Sequence, residues 1–486
     1  MHSSIGAGFL VSLVRVGFPW RGPLVALFLL AIAGVPAVAA GADDDLRLVE
    51  AAERQDWEAV RALVDAGAGV TATQPDGATA LHWAAHWNDG ATAGRLIDAG
   101  ADVDALNDLG VPPLWIALDS ANVDVALRLI EAGADPNGRL PTGETMLMTA
   151  AQHGLGTIVA RLLERGADAR LAEHERGQTA LMWAAAGGHT DVARRLLESG
   201  GGVRARTTGR FTALMFAARA GDLETVQLLL EAGADLEARA IDGSTPLLVA
   251  SRSTDALAGI DWRIIPYASG HEETAFYLME RGADLTAADR LGRTALHAAV
   301  ETNRPRLAAA LIEAGADVDA RFTEPVAALR GDYISRRPYK GATAFWLAAR
   351  AANLEMMRVL LDAGADPFLP NAFGTTPLMV ASGLGENDAR RAADHRVVET
   401  VTLLIELGAD VTATTPAGST ALHGAAAMWE DGVIQLLVDH GADVNAEDNR
   451  GRTPLHLVEY GNANAPSEST AELLRALGAR EPVVEQ

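Results

Sequence analysis

Short apolar stretches recur along this chain in pairs, and each pair closes on the same glycine. Leu181-Met182-Trp183-Ala184-Ala185 and the run from Val192 to Leu197 form one such pair, and each reads as a short helix. A Gly-Ala-Asp triplet, or a close variant, follows the second stretch twelve times: at Gly67, Gly100, Gly133, Gly166, Gly200, Gly233, Gly282, Gly315, Gly364, Gly408, Gly441 and Gly478. The usual step is 33 residues. Glycine at that point ends the second helix as a C-cap. A second signal keeps the same period and opens the first helix. It reads Gly-x-Thr-Ala/Pro-Leu-His at Gly77–His82, Gly292–His297, Gly418–His423 and Gly451–His456. Threonine caps a helix start, proline suits the first helical turn, and the preceding glycine makes the tight turn. Each unit is therefore predicted to run turn, helix, short loop, helix, long turn, and a period of this length marks a repeat architecture.

These residues resemble the ankyrin repeat. The family pattern is Gly-x-Thr-Pro-Leu-His-x-Ala-Ala, then Gly-His, then Leu-Leu-x-x-Gly-Ala-Asp-x-Asn-Ala. The block Leu436 to Ala446 matches its end, and Gly188-His189 and Gly270-His271 fill its middle slot. The match runs from about Asp43 to about Arg480. Gly200-Gly201-Gly202 departs from it, and Trp115, Met148, Met182, Met215 and Trp346 replace the usual histidine. The resemblance implies an all-α solenoid of about twelve helix-turn-helix units with long β-turn-like loops, over residues 41–480, with 481–486 as a tail. The first unit starts at Asp43-Asp44-Asp45 without the turn signal. It presents Arg47, Glu50, Arg54 and Glu58 as a polar end cap.

Residues 1–40 are different in kind. Arg15 and Arg21 precede an apolar run from Leu24 to Val35 and then Pro36-Ala37-Val38-Ala39-Ala40, the layout of a secretory signal peptide. Cleavage after Ala39 or Ala40 fits; an uncleaved anchor is the other reading, and only then would the chain touch a membrane. Both place the repeats outside the cytoplasm, periplasmic or secreted. The chain has no cysteine, which removes disulfides, thiol catalysis and thiolate metal sites. A formal net charge of −24 disfavours nucleic acid as a partner and argues for a monomer.

The rhythm breaks in three places. The steps Gly233–Gly282 and Gly315–Gly364 are both 49 residues, and Gly364–Gly408 is 44. The excess falls near 253–268, 322–337 and 383–396. Insertions in a solenoid are loops that often sit on the binding face. The second carries Tyr333, Arg336, Arg337, Tyr339 and Lys340 near its end, a local basic and aromatic spot suited to a carboxylate-rich partner.

Candidate chemistry is sparse. His82 and His86 lie four apart on a predicted helix, the spacing of a shared metal, but no third ligand sits nearby. In the resembled family the Leu-His slot of His82, His297, His423 and His456 bonds neighbouring turns. No nucleophile elbow, phosphate loop or metal motif nominates an active site, so neither catalysis nor a cofactor is expected. Two slots after Ala-Ala face the groove in ankyrin repeats. Here they hold His86, Trp87, Asp119, Ser120, Gln152, His153, Arg219, Arg252, Glu301, Thr302 and Arg350, while Trp83, Trp183 and Phe216 fall one turn earlier and read as core. Asp76, Arg139, Arg210, Arg290, Phe373 and Arg450 mark the turn tips. The expectation is a non-catalytic module that binds a protein partner through groove and insertions. The alternative is a small-ligand or cofactor site built by the three insertions in support of a partner enzyme.

Overall fold

The computed structural model describes residues 46–252, 270–324, 326–330, 333–337, 339–385, 395–460 and 467–481. Within them the chain forms twelve helix pairs, from Leu46–Glu53 with Trp57–Asp65 to Pro454–Tyr460 with Glu468–Ala476. First helices pack on first helices of the next unit and second helices on second helices, without a break along the whole stack. The expected all-α solenoid is the architecture observed. The expected leader at 1–40 lies outside the described residues, as do all of the first insertion and most of the third.

Composition explains the pairing. First helices such as Ala80–His86 and Ala344–Arg350 bury nearly every residue, because small alanines and one or two leucines let helices sit close together. Second helices such as Thr190–Glu198 bury one stripe, Val192, Ala193 and Leu196, and leave their arginines and glutamate outward. The capping threonine does what the pattern predicts: the Thr79, Thr294, Thr343 and Thr420 side chains each accept from the backbone N–H three residues on. The first unit is the polar end cap expected, with Arg47, Glu50, Arg54 and Glu58 all exposed.

Successive long turns, which we call fingers, are laced by backbone hydrogen bonds. The Asp108 N–H donates to the Asp76 carbonyl at 2.8 Å, His174 to Thr142 at 3.0 Å, Thr208 to Arg176 at 2.7 Å, Ile241 to Gly209 at 2.9 Å and Ala372 to Lys340 at 2.8 Å. Side chains add a second lace. His82 Nε2 donates to the Val111 carbonyl at 3.0 Å and His423 Nε2 to that of Arg452 at 2.9 Å. Where tryptophan replaces the histidine the bond survives: Trp346 Nε1 donates to the Thr375 carbonyl at 2.9 Å and Trp115 Nε1 to Glu144 Oε1 at 3.2 Å. The indole N–H simply reaches the same next turn.

The insertion at 322–337 adds the one sheet among the described residues, an antiparallel hairpin of β1 (Val326–Arg330) and β2 (Tyr333–Arg337). It extends the finger between Phe322 and Tyr339. The other two insertions leave from the loops joining first to second helices, after Arg252 and after Gly385. A first helix has its finger at one end and that loop at the other, so the three attachment points do not share one side of the stack.

One left-handed position recurs nine residues after the capping threonine or its equivalent. Glycine holds it at Gly154, Gly188 and Gly221, but Ala121 sits there at φ 54°. Alanine in that region is strained by about 1–2 kcal/mol, and glycine returns part of the gain as unfolded-state entropy. Ala121 is exposed, so no packing is lost on removing its methyl. Ala121→Gly is expected to stabilise the stack by about 0.5–1 kcal/mol in urea unfolding; a destabilised variant would show the strain argument to be wrong.

Candidate functional site

The row of side chains at the C-terminal ends of the first helices is the candidate surface. It starts with an aromatic step. Trp87 closes the helix Ala80–His86 and remains 38% exposed. His86 stands edge-on between Trp83 and Trp87, with ring centroids 5.9 and 4.5 Å away. Its Nδ1 is buried without a hydrogen-bond partner, and burial pulls its pKa below the usual histidine value, so the ring is neutral at pH 7. Trp83 is core, as expected, and donates through Nε1 to Gln74 Oε1 at 2.9 Å. Phe216 is core too, whereas Trp183 is only half-buried.

The next two units add a polar step. Asp119 Oδ1 and His153 Nε2 lie 3.8 Å apart across the unit boundary, both partly exposed. Gln152 is exposed, and its backbone carbonyl accepts from His189 Nε2 at 3.0 Å. His189 of the Gly-His slot thereby ties two units together. Asn122 does the same earlier, donating to the Ala85 carbonyl at 2.8 Å.

Further along, the expected cations are present but engaged. The Arg219 guanidinium lies 5.4 Å from the centre of the Phe216 ring, and that of Arg350 lies 5.3 Å from the Tyr339 ring. Arg252 approaches Asp289 at 3.8 Å. Glu301, expected to line the groove, is exposed and also pairs with the buried Arg293, its Oε2 2.9 Å from Arg293 Nε. Desolvation of its carboxyl raises the Glu301 pKa, and the charges of Arg293 and Arg252 work against that rise.

The basic and aromatic spot needs correction. Tyr339 is not an exposed contact residue: it is 5% exposed and packs between Phe322 and Trp346, with ring centroids 6.1 and 5.8 Å away. Large apolar Phe322 and Trp346 leave no room at the surface for its ring. Lys340 is exposed, 3.9 Å from Glu324 Oε1. Tyr333, Arg336 and Arg337 lie on β2, paired in register with Arg330, Ala327 and Val326. Their side chains lie outside the described set.

Among the described residues no three His, Asp or Glu side chains converge as metal ligands, and His82 is committed to its two turns. No described helix is long and apolar enough to cross a membrane. Sequence reading missed Arg293 and Asp289, although the Asp-x-x-x-Arg spacing recurs at Asp448 and Arg452 and could have shown them.

Family models for ankyrin repeats match residues 48–140, 147–240 and 389–479, more than half of the chain together, with further ankyrin matches at 260–312 and 340–372. Among curated proteins, the mouse B-cell lymphoma 3 protein homolog is 35% identical over 114 residues, 23% of this chain and 22% of that protein. Human ankyrin repeat and SOCS box protein 6 is 32% identical over 152 residues, 31% of this chain and 32% of that protein. Human neurogenic locus notch homolog protein 2 is 36% identical over 153 residues, 31% of this chain but 5% of that protein. The chain thus covers about a third or less of the length of these relatives.

Proposed function

This chain belongs to the ankyrin repeat family, and from that premise we propose that it is an exported, non-catalytic scaffold that binds a protein partner along its first-helix row. The observation that carries the reading is the double lace of finger and side-chain bonds. It ties most neighbouring fingers together, so the row is presented largely ordered and little conformational entropy is lost on binding. Trp87 is the anchor: a large aromatic left partly exposed beside a neutral histidine is the kind of residue on which interface energy concentrates. Export is supported by the charged, apolar and small-residue order of residues 1–40.

The test is capture of a partner from cell-envelope extract by the chain lacking residues 1–40, followed by calorimetry with the purified partner. Trp87→Ala is expected to weaken binding by about thirtyfold, the usual scale for an interface tryptophan. Should the captured protein bind both forms equally, the contact lies off this row; should nothing be captured from envelope while cytosol supplies a partner, the exported scaffold is the wrong reading.

A further inference from the structure

Fingers turn on a glycine two residues before the helix cap. Ten of the eleven described fingers have it in the left-handed region: Gly77, Gly110, Gly143, Gly177, Gly243, Gly292, Gly341, Gly374, Gly418 and Gly451. The eleventh position is Arg210, at φ 63°. The slot is demanding for a second reason besides strain. A Cβ at Gly292 would meet the next finger's Thr323 N at 2.4 Å, and one at Gly77 would meet Asp108 N at 2.9 Å. An arginine held where the other ten described fingers use glycine is an outlier whose surroundings bear reading for function.

Its surroundings say what kind. Arg210 is exposed, and its guanidinium makes no hydrogen bond or ion pair among the described residues. Neither does that of Arg176, exposed on the preceding finger, whose carbonyl accepts from the Thr208 N–H at 2.7 Å and so holds the two fingers together. From Ser199 to Gly221 the chain carries four arginines and no carboxylate, in a protein of net charge −24. Two carboxylates of the adjoining fingers are bonded within their own turns, and Glu175, exposed beside Arg176, has a contact of its own. Glu173 accepts the N–H groups of Glu175, Arg176 and Gln178, and Asp242 accepts the N–H and hydroxyl of Ser244. Arg206 reaches Asp235 at 3.3 Å and Arg204 the Gly233 carbonyl, which leaves Arg176 and Arg210 as the unmatched pair.

We propose that the fingers bearing Arg176 and Arg210 form a docking site for an extended acidic segment of the protein partner, its carboxylates received by the two guanidiniums. The proposal rests on the scaffold reading and adds to it the partner's chemistry and a second anchoring point. Elsewhere the acidic surface repels such a segment, so the two fingers also fix its register.

The test has a variant that does not threaten folding, since Arg210→Gly installs the residue every other finger uses. Fluorescence anisotropy at low salt would compare fluorescein-labelled octaglutamate, octaglutamine and an oligothymidylate of equal length on the chain lacking residues 1–40. Octaglutamate is expected to bind saturably, and about tenfold more weakly to Arg210→Gly and to Arg176→Gln, as loss of a charge-assisted contact implies. Equal affinity for parent and Arg210→Gly, no binding of octaglutamate, equal binding of octaglutamine, or tighter binding of the oligothymidylate would each overturn the site. A captured partner that is lost with Trp87→Ala yet indifferent to Arg210→Gly would leave the scaffold standing and remove the acid-binding fingers.

Discussion

Replacing Arg293 by alanine is expected to destabilise the middle of the stack by about 3–5 kcal/mol, the scale for stripping one partner from a buried ion pair. Arg293 is 7% exposed and Asp289 4% at the side chain, and their Nη1 and Oδ2 lie 3.4 Å apart. The same arginine meets Glu301 at 2.9 Å and lies 5.7 Å from the centre of the Phe322 ring. Removing it leaves the buried Asp289 carboxylate with only the more distant Arg252 guanidinium, 3.8 Å away, and takes the counter-charge from Glu301. Asp289 also receives the N–H groups of Leu291 and Arg293, at 2.9 and 3.0 Å, bonds that the substitution leaves in place. A control is built into the chain. Arg452 holds Asp448, 3% exposed, in the same spacing, but the arginine side chain is itself 35% exposed, so its removal opens the carboxylate to water, and Arg452→Ala is expected to cost only about 1 kcal/mol. Because solenoid stability is a sum of units and neighbour interfaces, Arg293→Ala is also expected to split urea unfolding into two transitions. Equal losses for the two variants, in one cooperative step, would show that burial is not what sets the value of the pair.

The cluster also shows where sequence reading stopped. Period and caps were legible because they are local: a glycine that must be left-handed and a threonine that must cap leave fixed letters at fixed intervals. The ion cluster was not, since it joins Arg252, Asp289, Arg293 and Glu301 with Phe322 across three units, and only stacking brings them together. Tyr339 was misread for a related reason. Counted from the insertion it ends a basic run, whereas counted from Thr343 it lies in the finger, facing Phe322 and Trp346. The hairpin β1–β2 gave little warning, because five-residue strands of mixed residues look like loop until their pairing is known. Arg210 was legible as a turn tip, but its strain was not, because the missing glycine shows only when all eleven fingers are aligned.

Lowering the pH from 7 to 4 is expected to cost the fold about 3 kcal/mol through His297 alone. This side chain is fully buried, edge-on to Phe322 with ring centroids 4.6 Å apart. Burial, with the charge of Arg293 added to it and the nearby Ala342 carbonyl opposing it, pushes its pKa from 6.5 down to about 4. The folded-state value lies below the unfolded one, so the unfolded chain takes the proton first. Stability is therefore intact above about pH 6.5, falls as pH drops through that value, and stops falling from this source near pH 4. His82 and His423, also lowered chiefly by burial, act with the same sign. The chain supplies its own test substitution, because Met148, Met182 and Met215 occupy the equivalent slot in three consecutive units and are all buried. His297→Met cannot take up a proton, so its urea midpoint should fall less than the parent's between pH 6.5 and 4 while the two run parallel above pH 7. Parallel curves across the whole range would mean that His297 is protonated in the fold at mild pH, and that the acid limb belongs to the carboxylates.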